Sequence, residues 1–152
     1  MNVFGVKQAN EKDTDLICKM EKACFSDPWS NETVNQMLST PFIKVFYDID
    51  ASNGNPASYL VISKTDCVEI LKIGVMPEYR RKKLGTALIE HASTAAEDCP
   101  DKKIILEVRQ SNTGAIAFYE NHGFKTDGIR KNYYKNPTEN AILMSLDLNE
   151  RQ

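Results

Sequence analysis

A chain of 152 residues fits one domain and is long enough to bury a hydrophobic core. Its 41% hydrophobic and 26% charged residues are ordinary for a soluble globular protein, and its net charge of −2 excludes a general attraction to nucleic acid or anionic membranes. The sequence shows no apolar run of membrane-spanning length, no signal-peptide pattern and no CxxC pair. We therefore expect one cytoplasmic domain over residues 1–152, with reduced thiols and no metal.

Apolar periodicity and turn residues predict the elements along the chain. In chain order they are a strand at Val3–Val6, helices at Asp13–Ala23 and Glu32–Leu38, strands at Val45–Asp50, Ala57–Ser63 and Cys67–Val75, a helix at Leu84–Glu97, a strand at Lys103–Val108, a helix at Asn112–Asn121, and strands at Lys125–Asn132 and Ala141–Leu148. The strand–helix–strand passage between residues 67 and 108 requires a parallel pair with a right-handed crossover. The order β-α-α-β-β-β-α-β-α-β-β predicts an α/β fold with a mixed, mostly antiparallel central sheet flanked by helices.

The junction between the strand ending at Val75 and the helix beginning at Leu84 is the most informative segment. It contains four consecutive cations, Arg80–Lys83, which we call the basic loop, followed by Gly85. The first amides of a helix lack intrahelical partners and lie at the positive end of its dipole, so this junction is suited to phosphate. The alternative is a solvated loop before a packing helix. The triphosphate motif GxxxxGK(S/T) and the dinucleotide motif GxGxxG do not occur here.

Read as Arg80-Arg81-Lys82-Lys83-Leu84-Gly85, the junction resembles the acetyl-CoA signature Q/R-x-x-G-x-G/A of the GNAT family of N-acetyltransferases. The sequence departs from the signature at Lys83, where the family usually has glycine. If that position needs a positive φ, lysine is unfavourable there. If φ is ordinary, the amide still donates and the ammonium can pair with a phosphate. The resemblance implies acetyl-CoA as co-substrate.

Glu107 and Tyr119, which follow the junction in the sequence, have side chains suited to proton transfer. Glu107 lies in an apolar strand, where alternation points it away from Leu106 and Val108. A buried carboxylate needs a partner, Arg109 or another base, or else a raised pKa, so a structural ion pair is the alternative to a catalytic role. Tyr119 lies on one face of the following helix, and a plain core tyrosine is the alternative there.

Several separated motifs resemble the RimI branch of the GNAT family, and the resemblance covers nearly the whole chain. The motifs are DPWS at residues 27–30, LEVR at 106–109, FYENHGF at 118–124, RKNYY at 130–134 and ENAILM at 139–144. The resemblance implies the GNAT fold. It also implies transfer of acetyl from acetyl-CoA to the N-terminal amine, expected to be alanine, of small-subunit ribosomal protein number eighteen. The amine would attack directly in a ternary complex.

The same resemblance implies roles for individual residues. Glu107 would be the base that takes the proton of the amine, and Tyr119 the acid that protonates the leaving thiolate. A backbone amide near Val75 would stabilise the carbonyl oxygen. The expected contacts with acetyl-CoA are Ile73, Gly74, Val75, Arg81, Lys82, Lys83, Leu84, Gly85, Thr86 and Asn112, and the expected contacts with the acceptor are Trp29, Tyr133 and Tyr134.

Two other functions stay open at the level of the sequence. In the first, the same fold acetylates a lysine ε-amine or a small-molecule amine. In the second, the protein binds acetyl-CoA without turnover, which Lys83 favours and which Glu107, Asn112 and Tyr119 disfavour. The expected partner is a protein or peptide N-terminus, ribosomal in origin, with no direct contact to nucleic acid or membrane.

Overall fold

The structure is a computed structural model that describes residues 4–150. Its strands are β1 (Val6–Gln8), β2 (Ile43–Asp50), β3 (Asn55–Lys64), β4 (Val68–Val75), β5 (Lys103–Arg109), β6 (Lys125–Tyr134) and β7 (Glu139–Asp147). Its α-helices are α1 (Thr14–Cys24), α2 (Asn31–Ser39), α3 (Leu84–Glu97) and α4 (Thr113–Asn121). The strands form a sheet in the order β1-β2-β3-β4-β5-β7-β6. The predicted order of elements and the mixed sheet are therefore confirmed.

The first strand departs most from its predicted position. Val3 lies outside the described residues, and β1 begins only at Val6. Its place is set by antiparallel pairing with β2, from Val6 opposite Asp48 to Gln8 opposite Phe46. A strand this short takes its position from its partner rather than from its own apolar pattern.

The chain divides into two compact units, the first comprising the residues up to Ser63 together with Lys72–Glu90. Within it, β2 and β3 form an antiparallel hairpin, whose register ends with Asp50 opposite Asn55. The apolar face of α1 is buried at Ile17 and Met20. Ser30 caps α2 by accepting a hydrogen bond from the Thr33 amide at 3.1 Å, which explains why this helix begins at Asn31.

The second unit comprises Lys64–Leu71 and the residues from His91 onward. The first half of β4 pairs in parallel with β5, from Val68 opposite Ile104 to Ile70 opposite Leu106, as the crossover predicted. β7 pairs antiparallel with both β5 and β6. Alternate residues of β5 are buried, namely Ile104, Leu106 and Val108, so Glu107 lies on the opposite face as expected.

Candidate active site

The basic loop has a backbone conformation that favours glycine at two positions. Arg81 has a φ of 65° and Lys83 a φ of 63°, whereas Lys82 between them has no positive φ. The position at which the family signature has glycine therefore does adopt the left-handed region. A lysine there costs about 1–2 kcal/mol relative to an ordinary φ. All four cations of the loop are exposed.

Hydrogen bonds from Tyr79, just before the basic loop, and from Arg80, its first residue, tie the loop to the rest of its unit. The buried Tyr79 hydroxyl donates to Oδ2 of Asp50 at 2.8 Å, and Nε of Arg80 donates to the Val75 carbonyl at 3.1 Å. The Ser52 hydroxyl donates to the same carboxylate at 2.6 Å and holds the pKa of Asp50 below its usual value. These contacts fix where the loop leaves β4, and sequence patterns did not predict them.

The N-terminus of α3 follows the basic loop directly. The Ala87 amide donates to the Lys83 carbonyl at 3.2 Å, so the amides of residues 84–86 come before that helical bond. These amides and the positive end of the helix dipole directly follow the four cations of the basic loop. All of these groups attract negative charge, so the combination suits a pyrophosphate. The junction therefore fits the phosphate groups of acetyl-CoA.

Gly74 allows β4 to lie unusually close to two aromatic rings. A Cβ atom at this position would lie 2.7 Å from Cε1 of Tyr59 and 3.3 Å from Cε2 of Phe25. No side chain fits at the first distance without a shift of the buried tyrosine, so the close approach itself requires glycine. The segment expected to follow the pantetheine arm, Ile73–Val75, is thereby held against these rings.

Glu107 is paired, but its partner is not the neighbouring arginine. Oε1 of Glu107 lies 3.4 Å from Nη1 of Arg130 on β6, and the Glu107 side chain is 20% exposed. Arg109 points instead to Glu139, at 3.9 Å, and to the carbonyls of the β6–β7 connection, among them that of Lys135. The ion pair given above as the alternative to a catalytic role is therefore present, with Arg130 as the partner in place of Arg109.

Two further groups interact with Glu107. Glu69 on β4 pairs with Ile105 and so lies on the same face as Glu107. Burial raises the pKa of the Glu69 carboxyl, and the negative charge of Glu107 raises it further. Burial and then the same charge raise the pKa of Tyr134. This part of the unit thus combines two carboxylates with Arg130 and a tyrosine, a set that suits an incoming ammonium group.

Tyr119 is buried among aromatic rings. Its side chain is 6% exposed, and its ring centroid lies 5.4 Å from that of Phe118 and 5.4 Å from that of Phe124. Burial raises the pKa of Tyr119 to about 12, with a smaller contribution from Tyr134. The phenol consequently keeps its proton at neutral pH, as a proton donor must.

The remaining predicted residues of this unit have well-defined partners. Asn112 caps α4, with its Oδ1 accepting a hydrogen bond from the Ala115 amide at 3.1 Å. Tyr133 and Tyr134 pack edge to face with centroids 5.1 Å apart. The Arg130 guanidinium lies 4.8 Å from the centroid of the Tyr133 ring, and Tyr133 is 46% exposed.

Trp29, the third predicted acceptor contact, lies in the first unit. Its amide donates to Oε1 of Glu21 at 3.1 Å, and its ring centroid lies 4.3 Å from Nζ of Lys72. Sequence reasoning missed both Glu21 and Lys72. A signal for Glu21 was present, because it follows Ile17 by four residues on the apolar face of α1, where a charged residue is unexpected.

A model of the acetyltransferase (GNAT) family matches residues 14–124. The chain belongs to the GNAT family. The ribosomal protein bS18-alanine N-acetyltransferase of Escherichia coli (strain K12) is 34% identical over 134 residues, which are 85% of this chain and 87% of that protein. The enzyme of the same name from Salmonella typhimurium (strain LT2) is 31% identical over 152 residues, 97% of this chain and 99% of that protein. The crystal structure of the ribosomal-protein-S18-alanine N-acetyltransferase from Escherichia coli matches with a TM-score of 0.83 at 31% identity, covering 95% of this chain and 93% of that one.

Membership of the GNAT family makes this protein an acetyl-CoA-dependent acyltransferase with the predicted fold. No helix within residues 4–150 is long and apolar enough to span a membrane. In the same part of the chain, no three His, Cys, Asp or Glu side chains are grouped as metal ligands.

Proposed function

We propose that this GNAT enzyme acetylates the N-terminal alanine of ribosomal protein bS18 in the cytoplasm. Relatives named for that reaction align with this chain over most of both lengths. The observation that carries the proposal is the cluster of Glu107, Arg130, Tyr133 and Tyr134 within one unit, in which Arg130 lies 3.4 Å from Glu107 and 4.8 Å from the centroid of the Tyr133 ring, and Tyr133 packs on Tyr134. A pure acetyl-CoA binder has no need of a partly exposed carboxylate beside aromatic side chains.

In the proposed reaction, Glu107 accepts the proton of the acceptor amine. An α-amine has a pKa of about 7.7–8.0, so a substantial fraction arrives protonated and cannot attack. Glu107 takes this proton directly or through one water molecule. The Arg130 contact at 3.4 Å fixes the carboxylate at the end of β5, and Glu69 provides a second carboxyl group on the same face of the sheet.

Tyr119 and the backbone of β4 complete the proposed chemistry. Acetyl-CoA supplies the acetyl group as a thioester. A backbone amide near Val75 donates a hydrogen bond to the carbonyl oxygen as negative charge develops there. Tyr119 gives its proton to the departing sulfur, and its raised pKa keeps it protonated until that moment. No covalent acetyl-enzyme is required, because the amine attacks directly while both substrates are held together.

The residues proposed to hold acetyl-CoA follow β4 and the start of α3. Ile73–Val75 would line the pantetheine arm, and the amides of Arg81–Thr86 would receive the pyrophosphate. The Nδ2 of Asn112 would donate to the amide chain of the cofactor. Observations in favour are the close approach at Gly74, the four exposed cations and the position of the α3 N-terminus.

Aromatic side chains are proposed to contact the acceptor peptide. Trp29, Tyr133 and Tyr134 are all partly exposed, and each has a cationic group lying on its ring. Rings fixed in this way offer a rigid wall at a low cost in conformational entropy.

The proposal is tested by measuring thiol release from acetyl-CoA with two peptides. The first begins with a free alanine followed by basic residues, and the second has a blocked N-terminus and internal lysines. Mass spectrometry then maps the acetyl group. We expect acetate on the α-amine of the first peptide alone. Acetate on lysine side chains would contradict the proposed acceptor, and measurable acetyl-CoA binding without turnover of either peptide would contradict the proposed reaction.

A further inference from the structure

A fully buried carboxylate lies at the centre of the first unit, and the mechanism does not use it. The Glu21 side chain is 0% exposed, and its carboxylate accepts hydrogen bonds from three donors. The Tyr59 hydroxyl donates to Oε2, while the Lys72 ammonium and the Trp29 amide donate to Oε1 at 3.2 and 3.1 Å. Burial and the adjacent carboxylate raise the pKa of Tyr59, so this hydroxyl remains the donor.

Lys72 is held on its other sides by two aromatic rings. Its Nζ lies 4.2 Å from the ring centroid of Phe25 and 4.3 Å from that of Trp29, and its side chain is only 14% exposed. A cation at these distances from two ring faces is attracted by both, and more strongly because it is largely desolvated. The ammonium therefore links the carboxylate of α1 to both rings of the segment Phe25–Trp29, which we call the aromatic loop.

The same cluster contacts β4 close to the segment assigned to the cofactor. Lys72 itself belongs to β4, and Gly74, two residues later, packs on the rings of Tyr59 and Phe25. The Phe25 amide also donates to the Glu21 carbonyl at 3.0 Å, where α1 ends. Glu21 thus fixes the aromatic loop through a backbone amide and, by way of Lys72, through two side chains.

A buried ion pair by itself is weak evidence for stability, because desolvation offsets most of the attraction. The geometry points instead to a positional role. We propose that Glu21 is a positioning residue that acts through Lys72 to hold the Trp29 ring in place as a wall for the acceptor peptide. This inference rests on the proposed function, in which Trp29 contacts the acceptor.

A purely structural pair makes a different prediction. It would lower the melting temperature and weaken both substrates together, because the whole unit would loosen. A positioning role should instead raise the KM for the peptide while the KM for acetyl-CoA stays nearly unchanged. The chain offers a direct reporter, since Trp29 is its single tryptophan and all tryptophan fluorescence comes from the aromatic loop.

The variants are chosen to separate charge from packing. Lys72→Met keeps a long apolar stem and removes the ammonium, and Glu21→Gln/Lys72→Met removes both charges so that no unpaired carboxylate stays buried. Lys72→Arg restores a cation that also stacks on aromatic rings. Lys64→Met is the matched control, because Lys64 belongs to an ion pair with Asp98 in the second unit, at 3.4 Å.

We expect the double variant to raise the peptide KM by about three- to thirtyfold, the range that corresponds to cation–π contacts with two rings. Acrylamide quenching of Trp29 should increase in the same variant and in Lys72→Met. Lys72→Arg should have a peptide KM and a quenching of Trp29 close to those of wild type. Lys64→Met should change neither quantity.

The inference is overturned if acrylamide quenches Trp29 of the double variant to the same extent as in wild type and the peptide KM is unchanged. It is equally overturned if the KM values for peptide and acetyl-CoA rise by the same factor in parallel with a lower melting temperature. Quenching requires no acceptor, so it tests the position of Trp29 even if wild-type protein leaves an alanine peptide unmodified. That last result would contradict the proposed function rather than the role of Glu21.

Discussion

Replacing Lys83 with glycine should stabilise the protein, even though it removes a whole side chain from the basic loop. Lys83 has a φ of 63°, a conformation that disfavours a residue with a Cβ atom by about 1–2 kcal/mol. Glycine removes this penalty but adds about 0.5–1 kcal/mol of backbone entropy lost on folding. The expected net effect of Lys83→Gly is a gain of up to about 1.5 kcal/mol in the free energy of unfolding.

Lys82→Gly is the matched control, because it removes the same charge from the same exposed loop at a residue without a positive φ. This control should lose about 0.5–1 kcal/mol in the free energy of unfolding, because glycine at residue 82 increases the backbone entropy lost on folding and relieves no strain. The difference between the two variants isolates the cost of the left-handed conformation, about 1–2 kcal/mol. For a chain of this size it corresponds to a gap of about 2–8 °C in melting temperature.

The assay is urea unfolding of both variants and of wild type, followed by fluorescence and circular dichroism, with melting curves alongside. Equal destabilisation by Lys83→Gly and Lys82→Gly would refute the reasoning, because it would mean that φ at residue 83 carries no strain. Acetyl-CoA affinity is measured on the same samples. We expect Lys83→Gly to weaken binding, since a cation leaves the loop, and an unchanged affinity would mean that the ammonium points to solvent.

Three further substitutions test other parts of the account. Glu107→Gln should lower the turnover number by about 10²–10⁴-fold with unchanged acetyl-CoA affinity in calorimetry, and full activity would remove Glu107 from the role of base. Tyr119→Phe should slow turnover while the protein stays folded; if its only defect is a lower melting temperature, Tyr119 is a core residue and not the acid. Gly74→Ala should destabilise the fold by about 1–3 kcal/mol in denaturant titration, since its Cβ would meet Tyr59. A neutral result would show that the tyrosine moves aside freely.

Local patterns were sufficient to predict the elements of the fold and the family. The apolar period of 3.6 residues predicted the bounds of α3 without error. Alternation along β5 placed the Glu107 side chain on the other face of the sheet from Leu106 and Val108. Motif resemblance identified the family, which the match to residues 14–124 confirmed. These features depend on residues close together in sequence, and that is why they were predictable.

Contacts that depend on strand register were not predictable. Leu143 of β7 lies opposite both Glu107 of β5 and Gly128 of β6, two residues before Arg130, and this register makes Arg130 the partner of Glu107. Similarly, Lys83 stands where the family signature has glycine, so the sign of its φ could not be predicted from the sequence. Glu21 escaped notice because charged residues of an amphipathic helix usually face water.

The central claim is that this protein acetylates the N-terminal α-amine of ribosomal protein bS18 with Glu107 as base. The most direct measurement is a time course of acetylation on purified bS18 with an unmodified N-terminus, with N-terminal and lysine-containing peptides quantified by mass spectrometry. Wild type and Glu107→Gln are compared at equal acetyl-CoA saturation. We predict acetate on the N-terminal alanine alone, formed at least about a hundredfold more slowly by the variant. Acetate on lysine side chains, or equal rates for the two proteins, would contradict the account.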